Sequence, residues 1–548
     1  MNGPLPPEHG QKLGLVTSGS LATGLDVRLD PTISIEEMKV GQYVTIVGDR
    51  CHFLGMITDI KLATMGQGFE DNPPNVADPF IAQVMAGTAT FGIIHVTPTL
   101  VIAGEASALL EGPQPVKTIP SHFSQVLLSS QADINKVFGE EDKDRFFIGT
   151  PLDMETKVCL NLAEFVKRSN AVFGKSGTGK TFLTRLLLVG MLQKGTAANL
   201  VFDMHNEYGW RGSSEQGREV KGLKQLFPSK VSVLTLDDES SRRRGVTTDA
   251  VIRIGWNEIE PEDIELLAQT LNLTEPSRQA VYQFRQVFGD AGWLAKVFSL
   301  DKDSEDTAGL LEKLHVADGT FRNLRRGLEN LRRLPFLVPQ ASEDVADYIL
   351  QRLQRGGHVV IEFGRYDSIV AYMLVANMLT RRIYETYRVE TERAAGEGKP
   401  KPHPLVITIE EAHKFLDPQV ASQTIFGTIA REMRKYNVTL LVIDQRPSAI
   451  DPEVMSQVGT KLTCLLDNER DVDAVLAGVS GKNELRAVLS RLETRQQALI
   501  FGHAVPMPVV VRTREYGSPQ SYKEFGFREV EELKTKTAQD KKDLWETL

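Results

Sequence analysis

The sequence predicts an α/β fold. A mostly parallel sheet forms the core, with a small β-barrel before it and a helical subdomain inserted within it. Three observations predict this. Residues 13–112 are short β-branched or alternating runs broken by Gly, Asp, Asn and Pro. From about Phe146, short apolar strands alternate with helices that carry an apolar face. Between about Glu258 and Leu334 the apolar residues recur at helical spacing instead.

The chain has 548 residues, enough for about three domains at roughly 100–200 residues each. The expected organisation is a barrel over 1–115, a linker over 116–145 and the first part of the core over 146–257. A helical insertion over 258–345, the second part of the core over 346–517 and a tail over 518–548 complete it. With 63 basic against 72 acidic residues the formal charge is −9, which excludes a wholly basic nucleic-acid coat. Any such contact must come from a local patch or from a channel lined by several subunits. Three scattered cysteines, Cys51, Cys159 and Cys464, make no disulfide framework or Cys-rich zinc site and fit a reducing cytoplasm. Residues 1–14 are Pro/Gly-rich and lack the pattern of a signal peptide. No apolar run reaches the roughly 18–20 residues that span a bilayer, so no membrane association is expected.

In order, barrel strands are expected at 24–30, 43–48, 53–63, 80–86 and 93–103. A Pro-containing connection at 111–119 leads to a helical stretch at 121–137 and a charged loop at 140–145. Core strands are expected at 171–173, 199–203, 230–236, 357–361, 405–409, 439–443 and 461–466. Helices are expected at 181–193, 261–271, 278–287, 321–331, 369–387 and 424–436. Gly396, Gly398, Pro400, Pro402 and Pro404 mark a linker at 394–404, and the segment from about Lys534 is polar and helix-prone.

Gly174, Lys175, Ser176, Gly177, Thr178, Gly179, Lys180 and Thr181 fit the pattern G-x-x-x-x-G-K-[ST], between an expected strand and an expected helix. Glycines let successive backbone N–H groups turn inward around phosphate oxygens. The helix N-terminus adds free donors and a positive dipole end. Lys180 supplies a point charge to the outer phosphates, and Thr181 a hydroxyl ligand for Mg²⁺. Lys175 adds a charge that is either solvated or in contact with phosphate.

A phosphate loop of this kind works with a carboxylate at the end of a buried strand. Glu410 and Glu411 end the apolar run 405–409. Glu410 is placed to face Mg²⁺ through its water shell, and Glu411 to polarise the attacking water as general base. Asp203 also ends a strand and competes with Glu410 for the metal, with Glu207 nearby. His205 has no second ligand at metal spacing, and His413 reads equally as a helix-start or a chemical residue. Gln445, after the strand at 439–443, is placed to bond the γ-phosphate or the attacking water, and Arg446 follows it. Arg431 and Arg434 lie three apart on one helix face, which reads either as a solvated basic face or as the arginine that a neighbouring subunit supplies to a phosphoryl group.

Together these residues resemble the HerA-like branch of the FtsK/HerA superfamily of P-loop ATPases. The match rests on the loop 174–181, on Asp203-Met204-His205-Asn206-Glu207-Tyr208, and on Ile409-Glu410-Glu411-Ala412-His413. Arg431 to Tyr436, leading to Gln445-Arg446-Pro447-Ser448, completes it, and the resemblance covers about 13–515. It implies a RecA-like P-loop NTPase core behind a HAS-barrel-like module. It implies a homohexameric ring that hydrolyses ATP with Mg²⁺ and translocates double-stranded DNA. It also implies a nuclease (NurA-like), or an antiphage effector (Sir2-like or nuclease), docked on the barrel face. By resemblance Glu411 is the catalytic glutamate, and Arg431 or Arg434 the trans arginine. Family members often have Gly where this chain has Asn206, which also tolerates left-handed backbone. Trp210-Arg211 and Arg242-Arg243-Arg244 are candidates for a DNA channel, the triplet reading also as a solvated loop. The rival from another class is an ATPase scaffold ring that activates a protein effector without translocating DNA. A small-molecule kinase would need an acceptor pocket that the sequence does not identify.

Overall fold

The computed structural model describes residues 10–65, 85, 89–103 and 113–527, less 153, 214–218, 291, 302, 343, 367, 422–423 and 480. The strand expected at 80–86 and the segment from about Lys534 lie outside the described residues, apart from residue 85.

The N-terminal strands β1 (Lys12–Ser20), β2 (Gly24–Leu29), β3 (Tyr43–Val47), β4 (Cys51–Thr64) and β5 (Thr90–Ala103) pair antiparallel. A two-residue strand β6 (Gln114–Pro115) pairs with β5. Strand β7 (Gln125–Leu128) lies between β1 and β3. β2 pairs with β5 and closes the barrel, leaving no edge in the ring. Inward residues such as Val27, Ile46, Ile57, Val96 and Val126 are fully buried. A register shift at Ile57/Asp59 bends the long β4–β5 hairpin.

β7 corrects one expectation. The stretch 121–137 was expected to be helical and to lie in a linker. Its first half is instead a barrel strand, and the helix is confined to Gln131–Phe138. Tertiary context decides this, because without β7 the facing edges of β1 and β3 would keep unpaired backbone groups. Ser130 and Asp133 form a capping box that starts the helix where the strand ends.

The core strands are β8 (Arg145–Thr150), β9 (Val158–Asn161), β10 (Asn170–Phe173), β11 (Ala198–Asp203), β12 (Val231–Thr235) and β13 (Ala250–Val251). They continue as β14 (His358–Glu362), β15 (Leu405–Glu410), β16 (Val438–Asp444), β17 (Thr460–Thr463), β18 (Gln497–Gly502) and β19 (Val509–Thr513). Among the described residues these twelve form one sheet, ordered β13-β12-β14-β11-β15-β16-β10-β17-β18-β19-β8-β9. The first eight in that order run parallel, and the last four are antiparallel. The parallel strands are continuous apolar runs because helices cover both faces.

The helical insertion holds Pro261–Leu266, Glu275–Phe288, Trp293–Ser299, Glu305–Lys313 and Asp318–Arg332. The second and fifth meet through Phe284 and Phe321, whose ring centroids are 5.9 Å apart. The long helix Ile369–Glu397 runs into the expected linker and ends at Gly398, at φ +64°. Gly396 inside it costs about 1 kcal/mol relative to Ala. Burial of Tyr387, Thr391 and Ala394 on the same helix offsets that cost.

Barrel and core are joined by a part-buried hydrogen bond. Tyr43 Oη of β3 donates to the Pro508 carbonyl at 3.1 Å, just before β19. Tyr43→Phe keeps the ring and strands the carbonyl, so it should lower stability by about 1 kcal/mol. Thermal melts of the two proteins test this, and an unchanged melting temperature would remove the bond from the barrel–core junction.

Candidate nucleotide site at the ends of the parallel strands

The loop 174–181 connects β10 to the helix Lys180–Lys194. Gly177 and Gly179 sit at φ +77° and +95°, which a side chain would strain. A Cβ at Gly174 would lie 2.8 Å from both Cys464 Cβ and Thr178 Oγ1, so close approach fixes that glycine as well. Thr178 Oγ1 and Lys180 Nζ both donate to the Lys175 carbonyl at 2.8 Å. Lys180 is thus folded onto its own loop, and burial pulls its ammonium below the usual range. Lys175 is an exposed ion-pair partner of Asp467, 2.7 Å away.

Four neighbouring parallel strands end in acids: β14 in Glu362, β11 in Asp203, β15 in Glu410 and β16 in Asp444. All four are buried. Arg244 pairs with Glu362 at 2.5 Å. Asp203 accepts the backbone N–H groups of Glu207, Tyr208 and Gly209 at 2.8, 2.8 and 3.3 Å. Burial, and then the charge of Glu362, raise its carboxyl above the ordinary range, against the pull of those N–H groups. The expectation of Asp203 as a metal ligand is corrected here. Both its oxygens are committed to bracing the loop that follows, and it does not line the cleft.

The cleft above the loop has a volume of about 420 Å³. Lys180, Thr181, Glu207, Glu410, Glu411 and Gln445 face it. Tyr208 Oη donates to Glu410 Oε1 at 2.9 Å, and Glu410 Oε2 is buried without a partner. Burial raises this carboxyl well above its usual range, with further pushes from Asp203 and Glu207. An orphaned carboxylate oxygen beside a loop hydroxyl suits the outer shell of a divalent cation. Among the described residues no cluster of three His, Cys, Asp or Glu side chains could hold a metal unaided.

Glu411 sits at φ +48°, a left-handed conformation that turns it out of the strand into the cleft. Gln445 Nε2 donates to its Oε1 at 3.1 Å, and His413 Nε2 is 3.8 Å from its Oε2. Asp444 accepts from His413 twice, from the backbone N at 2.7 Å and from Nδ1 at 2.9 Å. His413, left open in the sequence, therefore bridges Asp444 and Glu411. The hydrogen bond from Asp444 raises the imidazole above its usual range. Burial acts to raise Asp444, but the His413 and backbone bonds outweigh it and the carboxyl is lowered.

Arg431 does not line the cleft of its own chain and lies 3.3 Å from Glu453. The side chain of Arg434 lies outside the described part of its helical turn. The helix expected at 424–436 divides into Ile425–Glu432 and a 3-10 turn, Met433–Tyr436. His205 faces the cleft, and Arg446 is exposed beside it. Asn206 takes the left-handed turn at φ +58°, and its amide exchanges hydrogen bonds with the backbone of Gly364. The basic triplet is engaged elsewhere: Arg242 with Asp238, Arg243 with Glu239 and Arg244 with Glu362. Arg211 lies 3.4 Å from Glu219. Two residues that support the cleft escaped the sequence reading. Arg185, one turn beyond Thr181, is buried and donates to the Glu207 carbonyl. Tyr372 Oη holds the Glu410 carbonyl at 3.1 Å. Position i+4 from Thr181 was the available signal for Arg185; Tyr372 had none.

The family described as "Helicase HerA, central domain" matches residues 146–383, and the HAS barrel domain matches 13–107. The chain is HerA-like. The DNA double-strand break repair helicase HerA of Saccharolobus solfataricus is 23% identical over 480 residues, 87% of each chain. The protein of the same name from Pyrococcus furiosus is 25% identical over 390 residues, 67% of this chain and 69% of its own. Among solved structures, VirB4 of Thermoanaerobacter pseudethanolicus superposes with a TM-score of 0.47 at 13% identity, covering 69% of this chain and 98% of that one. The HerA-like chain is a P-loop ATP hydrolase with an α/β core behind a closed barrel. Among its described residues no helix is long and apolar enough to cross a membrane.

The Asp444–His413 pair has a pH signature. Its contribution is full below the ordinary histidine value of 6.5 and is lost as pH rises through the raised folded value. Asp444, being lowered, stays charged throughout that range. Asp444→Asn should therefore depress the melting temperature more at pH 6 than at pH 9. Equal depression at both would show that the pair is not ionic.

Proposed function

We propose that this protein is an ATP-driven translocase of double-stranded DNA that works as a homohexameric ring. The observation that carries this reading is the cleft itself. Its loop, Lys180, Glu410, Glu411 and Gln445 converge at the carboxyl ends of adjacent strands, while Arg431 stands outside it. Arg185 in the cleft is engaged by the Glu207 carbonyl, so an arginine for the transferred phosphoryl group is suited to come from a neighbouring subunit. The HerA relatives are named as DNA double-strand break repair helicases, which supports DNA as the substrate. A ring also answers the charge arithmetic, since a channel repeats the same few basic side chains around one axis.

In this reading the inward N–H groups of the loop and Lys180 grip the outer phosphates. Lys180 first leaves the Lys175 carbonyl, exchanging a neutral acceptor for a charged one. Thr181 and, through water, Glu410 would hold Mg²⁺, which neutralises charge on the phosphates when bound. Glu411 takes the proton from the attacking water, and Gln445 orients that water while steadying Glu411. Arg431 or Arg434 of the adjacent subunit stabilises the charge that develops on the transferred group. Tracking the phosphate backbone makes movement independent of base sequence. The barrel is the docking face for a nuclease (NurA-like) or an antiphage effector (Sir2-like or nuclease), in DNA end processing or antiphage defence. Leu21, Leu62, Met65 and Phe123 are exposed on the barrel.

Steady-state ATP hydrolysis with and without linear duplex DNA tests the proposal. DNA should raise the rate several-fold, and chelation of divalent cations with EDTA should abolish it. Lys180→Ala should lose nucleotide binding. Glu411→Gln should keep binding but lose about 10²–10⁴-fold in turnover. Hydrolysis indifferent to duplex DNA at low and moderate salt would instead favour the scaffold ring that serves a protein effector.

A further inference from the structure

A cleft of about 790 Å³ opens where the barrel meets the core. The barrel gives it Leu21 from the turn between β1 and β2, Leu100 from β5 and Val116 just after β6. The core gives it Met455, Val479 and Phe501, the last from β18. Pro508, whose carbonyl holds Tyr43, also lines it, so the cleft belongs to the barrel–core junction. Its volume is that of a site for a small organic molecule.

Among the described residues that line this cleft, Lys461 of β17 alone is charged. It is only 6% exposed. Its Nζ donates to the Val475 carbonyl at 2.7 Å, and the Phe501 ring centroid lies 6.0 Å away. Val475 ends the helix Glu469–Val475, so the bond caps one of that helix's free carbonyls. It takes up one of the ammonium's three donors. A carbonyl and a ring are dipoles, not counter-charges. Among the described residues no carboxylate pairs with Lys461, and burial pushes its ammonium down to about 8. The hydroxyls of the wall donate elsewhere, Ser456 to the Glu453 carbonyl at 2.6 Å and Thr99 to the Leu54 carbonyl at 3.2 Å.

A buried charge without a counter-charge is unfavourable, and an anion brought to it relieves that. The walls set the rest of the ligand. They are aliphatic, aromatic and prolyl, so they receive an apolar body. One ammonium balances one negative charge, whereas a phosphate dianion keeps a second charge unpaired in an apolar cleft. We propose that this cleft binds a small amphipathic carboxylate, with its head on Lys461 and its apolar body between the barrel and the core. Such a site stands apart from the nucleotide cleft and does not depend on DNA as the substrate. Its place in the sheet still connects it to the ATP site. β17 pairs with β10, which leads into the phosphate loop, while the facing wall belongs to the barrel. A ligand held there ties the barrel to a strand beside that loop.

The full chain, titrated calorimetrically with sodium octanoate and separately with 1-octanol, its uncharged counterpart, tests this. Wild type should bind octanoate at least about tenfold more tightly than octanol. Lys461→Met keeps an apolar stem of similar length and should bring octanoate down to the affinity of octanol. Ala477 is exposed on the cleft wall, so Ala477→Trp fills the cleft without disturbing Lys461. It should weaken both molecules by about tenfold, and it decides even where Lys461→Met does not fold. Equal binding of the two molecules by wild type overturns the site. So does a preference for octanoate that survives Lys461→Met, or octanoate binding that Ala477→Trp leaves unchanged. Wild type binding neither molecule overturns it as well, and an altered sedimentation coefficient of Ala477→Trp then gives the cleft to a second copy of the chain.

Discussion

The structure depends on a row of buried carboxylates. Parallel strands bring Glu362, Asp203, Glu410 and Asp444 to one edge of the sheet, side by side. Like charges in a desolvated row repel, and each must be offset or protonated. The chain offsets each differently: an arginine for Glu362, a run of N–H groups for Asp203, a tyrosine hydroxyl for Glu410 and a histidine for Asp444. These partners shape the loops around the cleft. Asp203 curls the segment after β11 so that Tyr208 reaches Glu410. Asp444 seizes the backbone of His413 and so sets the exit of β15, where Glu411 is forced left-handed.

The same row separates supporting acids from working ones. Of the two that reach the cleft, Asp444 has both oxygens engaged, whereas Glu410 keeps one buried and unpartnered. An unpartnered buried oxygen is costly and persists where a ligand or protonation relieves it. In the sequence Asp203 competes with Glu410 for the cation because both end apolar strands. Their hydrogen bonds tell them apart: Asp203 is taken up by the loop that follows it, whereas Glu410 accepts from Tyr208 on one oxygen and keeps the other without a partner.

What could be read from the sequence follows from range. The phosphate loop, the strands before the acids, Asn206 at its turn and the glutamates are local patterns, and local sterics dictate them. β7 reads as helix in the sequence because its partners, β1 and β3, lie 78 or more residues earlier in the chain. The helix after Ile369 outran its expected end because buried tyrosine and threonine outweighed Gly396. The basic triplet looked available for DNA until Arg244 was found on Glu362, more than 100 residues away. Arg185 and Tyr372 act through long-range contacts that no motif records.

The phosphate loop also supplies an acceptor for its own lysine. Lys180 bonds the Lys175 carbonyl while Lys175 is drawn outward to Asp467, so the two lysines point away from each other across one peptide turn. The interior bond is neutral at its acceptor and the exterior pair is exposed, so neither is strong. A polyphosphate offers Lys180 a charged acceptor, roughly twice as strong. It demands nothing of Lys175, whose carbonyl keeps Thr178 as a donor. The loop can therefore exchange one partner without refolding. Its glycines supply the turn, Thr178 holds it, and Lys180 alone exchanges its acceptor.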